Sequence, residues 1–134
     1  MKHTFVILAH NVSDDLEECI KSVINQSVKS NIVIATSTPN DYIIDLASEY
    51  SLGVMVNKTK SNKGRDYNFA INSFDTKLVT IAHQDDLYDR NYTKEIKCVL
   101  TVFLFLLAAI IHHHYNYIVV LTIYKMIIKY FFDI

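Results

Sequence analysis

The sequence is short of the residues that break, staple or charge a chain. It has one proline, two glycines, two cysteines and no tryptophan among its 134 residues. Cys19 and Cys98 lack metal-type spacing, and so few cysteines point to a reducing compartment, the cytoplasm, rather than a secreted disulfide scaffold. Neither charge is in excess: 13 Lys and Arg face 14 Asp and Glu, for a formal net charge of −1. That balance removes any general electrostatic case for a nucleic-acid partner. No signal peptide is expected, because Met1-Lys2-His3 runs directly into Phe5-Val6-Ile7-Leu8-Ala9, too short for an apolar core with a cleavage site. There is no internal repeat.

What the chain does have is apolar residues, 51% of the total, enough for one modest domain with a real core. They are unevenly spread. Residues 1–97 are mixed, whereas from Cys98 onward only Lys125, Lys129 and Asp133 are charged, and Gly and Pro are absent. Two segments follow from this: 1–97 as the folded domain and 98–134 as a hydrophobic tail.

Within the first segment, apolar runs alternate with helical periodicity. Residues 4–9 read as a buried parallel strand. Ser13 is placed to cap a helix with Asp14 and Asp15 in its first turn and Leu16, Ile20, Val23 and Ile24 on its apolar face. Ile32-Val33-Ile34-Ala35 is the second strand. Thr38 and Pro39 suit the N-cap and first position of a second helix, with Ile43, Ile44, Ala47 and Tyr50 inward and Gly53 as its left-handed terminator. Val54-Met55-Val56 is a third strand, a short helix follows near Asp66–Phe74, and Leu78-Val79-Thr80-Ile81-Ala82 is a fourth strand. A β-α-β-α-β-α-β order predicts an α/β fold, a mostly parallel sheet with helices on both faces.

Ligands of such sheets bind beyond the carboxyl ends of the strands. Three polar clusters fall there: Ala9-His10-Asn11, Thr36-Ser37-Thr38 and His83-Gln84-Asp85-Asp86. The first two are equally ordinary turn chemistry. The third carries adjacent carboxylates directly after an apolar strand. They call for compensation, which Mg²⁺ or Mn²⁺ would supply while bridging to phosphates; the plainer alternative is a solvated turn with Asp86 as a helix cap.

In series, these segments resemble family 2 glycosyltransferases. Phe5 to Asn11 is similar to that family's opening strand and turn. Leu16-Glu17-Glu18-Cys19-Ile20-Lys21-Ser22-Val23-Ile24-Asn25-Gln26-Ser27 follows its Leu-Glu-Glu-Cys-Leu-x-Ser-Leu-x-Asn-Gln-Thr helix. Asp66-Tyr67-Asn68-Phe69-Ala70 resembles Ala-Arg-Asn-x-Ala, and His83-Gln84-Asp85-Asp86 falls where the family has Asp-x-Asp-Asp, with Asn91-Tyr92 following as the Pro-x-Tyr-Leu part would. The resemblance implies a GT-A-like (Rossmann-like) fold represented by its nucleotide-sugar-binding half. It implies Asp85 as the metal ligand, for Mg²⁺ or Mn²⁺. Ala9, His10, Asn11, Ser37, Arg65, His83 and Asp86 become donor-binding residues, with His10 stacking on the base. The expected partners are a nucleotide-sugar, a UDP-sugar first, and a glycan or lipid-linked acceptor. The implied reaction is sugar transfer to an acceptor hydroxyl with inversion, in cell-surface polysaccharide synthesis. The alternative is a non-catalytic nucleotide- or metal-binding remnant.

The chain departs from the pattern at three places. His83 replaces the first Asp. The second strand ends Thr36-Ser37-Thr38-Pro39 instead of Asp-Asp-Gly-Ser, leaving base recognition to hydroxyls or backbone. Tyr67 replaces the Arg of Ala-Arg-Asn, with Arg65 or Lys63 as the nearest substitute cations. No residue is assigned as catalytic base, since the resemblance stops near Lys97. The tail then has three readings: a displaced reading frame that truncates the enzyme, a membrane-associated pair of short elements at the inner face, or a native completion of the core. The abrupt change of composition favours the first. The run from Cys98 to Ile111 falls short of the ~20 residues that span a bilayer. His112-His113-His114 do not share a face of a helix or strand, which argues against a metal site there.

Overall fold

The computed structural model describes residues 1–59 and 62–114, with backbone alone for Lys63 and residues 109–114. Strands and helices alternate: β1 His3–Ala9, α1 Leu16–Ile24, β2 Asn31–Thr36, α2 Asp41–Glu49, β3 Gly53–Val56, α3 Lys63–Asn72, β4 Leu78–His83 and α4 Tyr92–His114. The four strands form one parallel sheet in the order β3-β2-β1-β4. The α/β architecture expected from the sequence is therefore present.

Alternation along β1 explains the layers. Side chains of a strand point to opposite faces in turn, so Phe5, Ile7 and Ala9 share one face and Val6 and Leu8 the other. The first set packs with Leu16, Cys19, Ile20 and Val23 of α1 and Ile43, Leu46 and Ala47 of α2. The second packs with Ala35, Phe69 and Ala70, bringing α3 onto the opposite face. Phe5, Val6 and Ile7 are all fully buried. Each such side chain contributes roughly 1.5–3 kcal/mol through removal from water. At the amino end of the sheet the buried His3 ring is held between Ser30 Oγ (2.7 Å) and Thr80 Oγ1 (2.8 Å).

Several local expectations shift by a residue or two. Ser13 does not cap α1: its carbonyl accepts the Leu16 N–H within a turn, Asp15 takes the N-cap position, and Glu17 and Glu18 are the first-turn acids. Thr38 and Pro39 are not the N-cap and first residue of α2. Asn40 is the cap, its side chain accepting the Ile43 N–H at 3.0 Å, because Thr38 Oγ1 is already occupied by the Asn11 N–H. On α2 the buried set is Ile43, Leu46 and Ala47, while Ile44, a quarter turn round, is exposed.

Gly53 is not the terminator of α2 either; it opens β3. The left-handed residue is Ser51, with φ of 55°. Ser51 N–H bonds Ser48 carbonyl (3.0 Å) and Leu52 N–H bonds Ala47 carbonyl (2.8 Å), the paired bonds of a Schellman terminus. A residue with a Cβ occupies a conformation that glycine adopts without cost.

Lys2–Thr93 make up one compact unit; the second begins at Lys94, inside the first turn of α4. Along α4, Val99, Val102, Phe103 and Leu106 recur at helical spacing and are all exposed. Among the described residues no helix is long and apolar enough to cross a membrane. The expected second apolar run, Ile118 to Phe132, and Asp133 lie outside the described residues.

Replacing Ser51 by glycine relieves the left-handed strain, and stability is expected to rise by up to about 1 kcal/mol. Urea denaturation of wild type and Ser51→Gly measures the change as a higher midpoint at unchanged slope.

Candidate functional site

The chain passes from β1 outward through β2 to β3, then returns to pair β4 with the other edge of β1. The strand order thus reverses beside β1, and a crevice is expected beyond the carboxyl ends at that point. A cleft of about 440 Å³ opens there. Its walls come from the ends of β1 (Leu8, Ala9, His10), β2 (Thr36, Ser37) and β4 (His83, Gln84, Asp85), with Asn57, Asp66 and Tyr67 from beyond β3 and from α3.

Two strand ends are tied across the cleft by one side chain. The Gln84 carboxamide accepts the His10 N–H through Oε1 (2.7 Å) and donates through Nε2 to the His10 carbonyl (3.2 Å). The next residue, Asn11, has φ of 56° and donates its N–H to Thr38 Oγ1 at 2.8 Å. Asparagine is among the few residues that tolerate this conformation. The backbone therefore turns out of β1 under restraint from both neighbours.

The two adjacent acids after β4 have different surroundings. Asp86 folds back: its Oδ2 accepts the His83 N–H at 2.9 Å and the Tyr88 hydroxyl at 3.3 Å, while its own N–H bonds the His83 carbonyl. It closes the turn and does not line the cleft. Asp85 is exposed at the cleft wall, and its carboxylate has no hydrogen-bond partner among the described residues. The His83 ring is held by the Tyr67 hydroxyl at Nε2, with the two rings edge to face.

Beneath this turn lies Cys19, buried, with its thiol donating to the His83 carbonyl at 3.2 Å. Burial pushes the thiol up to about 12, and the nearby charges of Asp86 and Asp85 add to the effect. Burial likewise raises the Tyr88 phenol, with Asp86 contributing.

Of the residues singled out from sequence, Ala9, His10, Ser37, His83 and Asp85 meet at the cleft. Asn11 and Asp86 shape its turns from behind. Arg65 is exposed in the first turn of α3, outside the cleft, with its N–H capped by Asn62 Oδ1 at 2.8 Å. The sequence reading passed over Asp66, Asn57 and the tie made by Gln84. Asp66 Oδ1 accepts from Asn57 Nδ2 (2.8 Å) and Oδ2 from Ser37 Oγ (3.2 Å). A polar residue directly after β3, as Asn57 is, was the one available signal.

For a divalent cation the donor set is narrow. Among the described residues no three His, Cys, Asp or Glu side chains stand together as ligands. Mg²⁺ is commonly held by one or two carboxylates together with substrate phosphates and waters. The exposed carboxylate of Asp85 fits that kind of site, whereas Asp86 and the His83 Nε2 are engaged within the fold.

The fold is an α/β domain whose parallel sheet carries an acid-bearing cleft at its switch point. The model of the family "Glycosyl transferase family 2" matches residues 4–96, and the chain belongs to that family. Among solved structures, the chain resembles S. aureus TarS 1-349 with a TM-score of 0.65 at 18% identity, over 73% of this chain and 32% of that one. A second S. aureus TarS structure gives a TM-score of 0.64 at 18% identity, over 73% of this chain and 19% of that one. The chain thus spans about a third or less of the length of these neighbours. No curated protein matches the sequence.

The buried thiol gives a pH dependence with a definite sign. Its pKa is raised from 9.0 in the unfolded reference to about 12 in the fold. The resulting stability is complete below pH 9.0, and declines as pH rises toward about 12, because only the unfolded chain ionises in that window. Cys19→Ala is expected to flatten the decline without abolishing it, since Tyr88 acts in the same direction. Denaturant midpoints measured across that pH range check the slope.

Proposed function

We propose that the cleft binds the nucleotide-sugar donor of a glycosyl transfer, with Asp85 holding a Mg²⁺ or Mn²⁺ against the donor diphosphate. The observation that carries this reading is the exposed carboxylate of Asp85 at the switch-point cleft, next to a second acid that is consumed by its own turn. A carboxylate wall repels a diphosphate unless a cation lies between them. When bound, the cation would neutralise charge developing on the departing diphosphate.

The chain's own residues do the positioning. Asp86 fixes the turn so that Asp85 stays outward. Tyr67 orients the His83 ring, which faces the cleft as a polar contact for the donor. The Gln84 tie sets His10 and Ala9 at a fixed distance from Asp85, and the exposed His10 ring provides a flat surface for the base. Transfer would proceed by displacement at the anomeric carbon with inversion, the acceptor being a glycan or a lipid-linked sugar of a surface polysaccharide. UDP is the first nucleotide to test.

Titration calorimetry of UDP with and without Mn²⁺, on wild type and Asp85→Ala, tests the proposal. Wild type is expected to bind UDP at least about tenfold more tightly with Mn²⁺, and Asp85→Ala to lose that increment. Metal-independent binding in both proteins would remove Asp85 from the role. Binding without sugar transfer from a UDP-sugar would favour a non-catalytic donor-binding module.

A further inference from the structure

Two of the departures from the family pattern meet in space. Tyr67 stands where that pattern has an arginine, and His83 where it has its first aspartate, 16 positions further on. Tyr67 is on the second turn of α3 and His83 is the last residue of β4. The Tyr67 hydroxyl is nevertheless hydrogen-bonded to His83 Nε2, and the rings lie edge to face with centroids 5.6 Å apart. Both residues line the cleft.

The pair leaves one ring nitrogen over. His83 Nδ1 has no hydrogen-bond partner among the described residues and is open to solvent. In a neutral imidazole one nitrogen carries the proton and the other a lone pair, and a hydrogen bond at one decides the state of the other. The Tyr67 hydroxyl has no other acceptor among the described residues, so donation to Nε2 is the bond that uses its proton. Nδ1 then carries the ring hydrogen. The setting agrees, because the Asp86 carboxylate is bonded to the His83 backbone N–H and Asp85 follows two positions on. Beside negative charge an N–H is favoured over a lone pair.

We infer that Tyr67 is a positioning residue that locks His83 in its Nδ1–H form, so that the ring presents a hydrogen-bond donor to the diphosphate of the bound ligand. The inference rests on the donor-cleft reading above. An aspartate at position 83 would offer the cleft acceptors alone, and an arginine at position 67 a charge; Tyr67 and His83 together supply a donor without a charge. With Nε2 bonded and Nδ1 protonated, neither nitrogen has a lone pair for a metal. The cation is left to Asp85 and the ligand's own oxygens, while the His83 N–H meets a phosphate oxygen that the cation does not hold.

The lock is read by proton–nitrogen correlation NMR of the imidazole rings, with His83→Asn assigning the His83 signals by their loss. In wild type the proton is expected on Nδ1, and Tyr67→Phe should move it to Nε2, the form a free histidine side chain prefers. Calorimetry of pyrophosphate and of UDP, each with Mn²⁺, reads the role in binding. Tyr67→Phe keeps the ring but loses the hydroxyl, and should weaken both ligands about three- to tenfold. His83→Asn keeps an N–H near the same place that Tyr67 does not govern, so adding Tyr67→Phe to it should change affinity less than about twofold. A structural role alone would cost the same in both backgrounds. A wild-type ring protonated at Nε2 overturns the lock, and does so even if Tyr67→Phe fails to fold. Unchanged affinity in Tyr67→Phe, or a loss for UDP without one for pyrophosphate, overturns the diphosphate contact while Mn²⁺-dependent UDP binding by wild type keeps the donor cleft. No binding of either probe to wild type overturns both readings.

Discussion

The pairing of β4 with β1 is the constraint on which the site depends. Leu8 lies opposite His83, the last residue of β4, and β1 ends one residue later, so Gln84 and His10 emerge within hydrogen-bond distance of each other at the cleft. Were β4 to slip by one residue, its alternation would invert. Ala82, fully buried on the α1 and α2 face, would exchange places with its outward neighbours. The buried residues on both faces of β1 thus fix the register, and the register fixes the direction of Asp85. The fold's stability and the geometry of the cleft are set by the same contacts.

The acids around the cleft show how position divides labour among identical groups. Asp86 is spent on a turn, Asp85 faces outward, and Asp66 is braced at the far end. None is distinguished by residue type. The differences come from which backbone N–H groups, hydroxyls and amides stand within reach.

The architecture was legible because it rests on local pattern: apolar runs, helical spacing and the β-α alternation. What escaped was nonlocal. Ser37 and Asp66 are 29 positions apart, and His10 and Gln84 are 74 apart. No periodicity reports such pairs. Tyr67 read as a missing cation from its sequence position, yet its hydroxyl supports the His83 ring, itself a departure from the pattern. The helix caps failed for a related reason. Thr38 has the right side chain to cap α2, but its hydroxyl serves the turn after β1, and Asn40 takes over. A polar residue near a helix start can serve only one partner at a time, and tertiary structure decides which.

The tie between Gln84 and His10 has a further consequence. It continues the β1–β4 ladder past its end with a side-chain amide in place of a third backbone. Both bonds are exposed, so water can replace either partner, and parting them costs only about 1–3 kcal/mol. The residue beyond, Asn11, sits in the left-handed region with its N–H held by Thr38 Oγ1. The rim of the cleft is therefore held by side chains rather than by the ladder: the Gln84 carboxamide and the Thr38 hydroxyl restrain His10 and Asn11 one step beyond the last backbone bonds of the sheet.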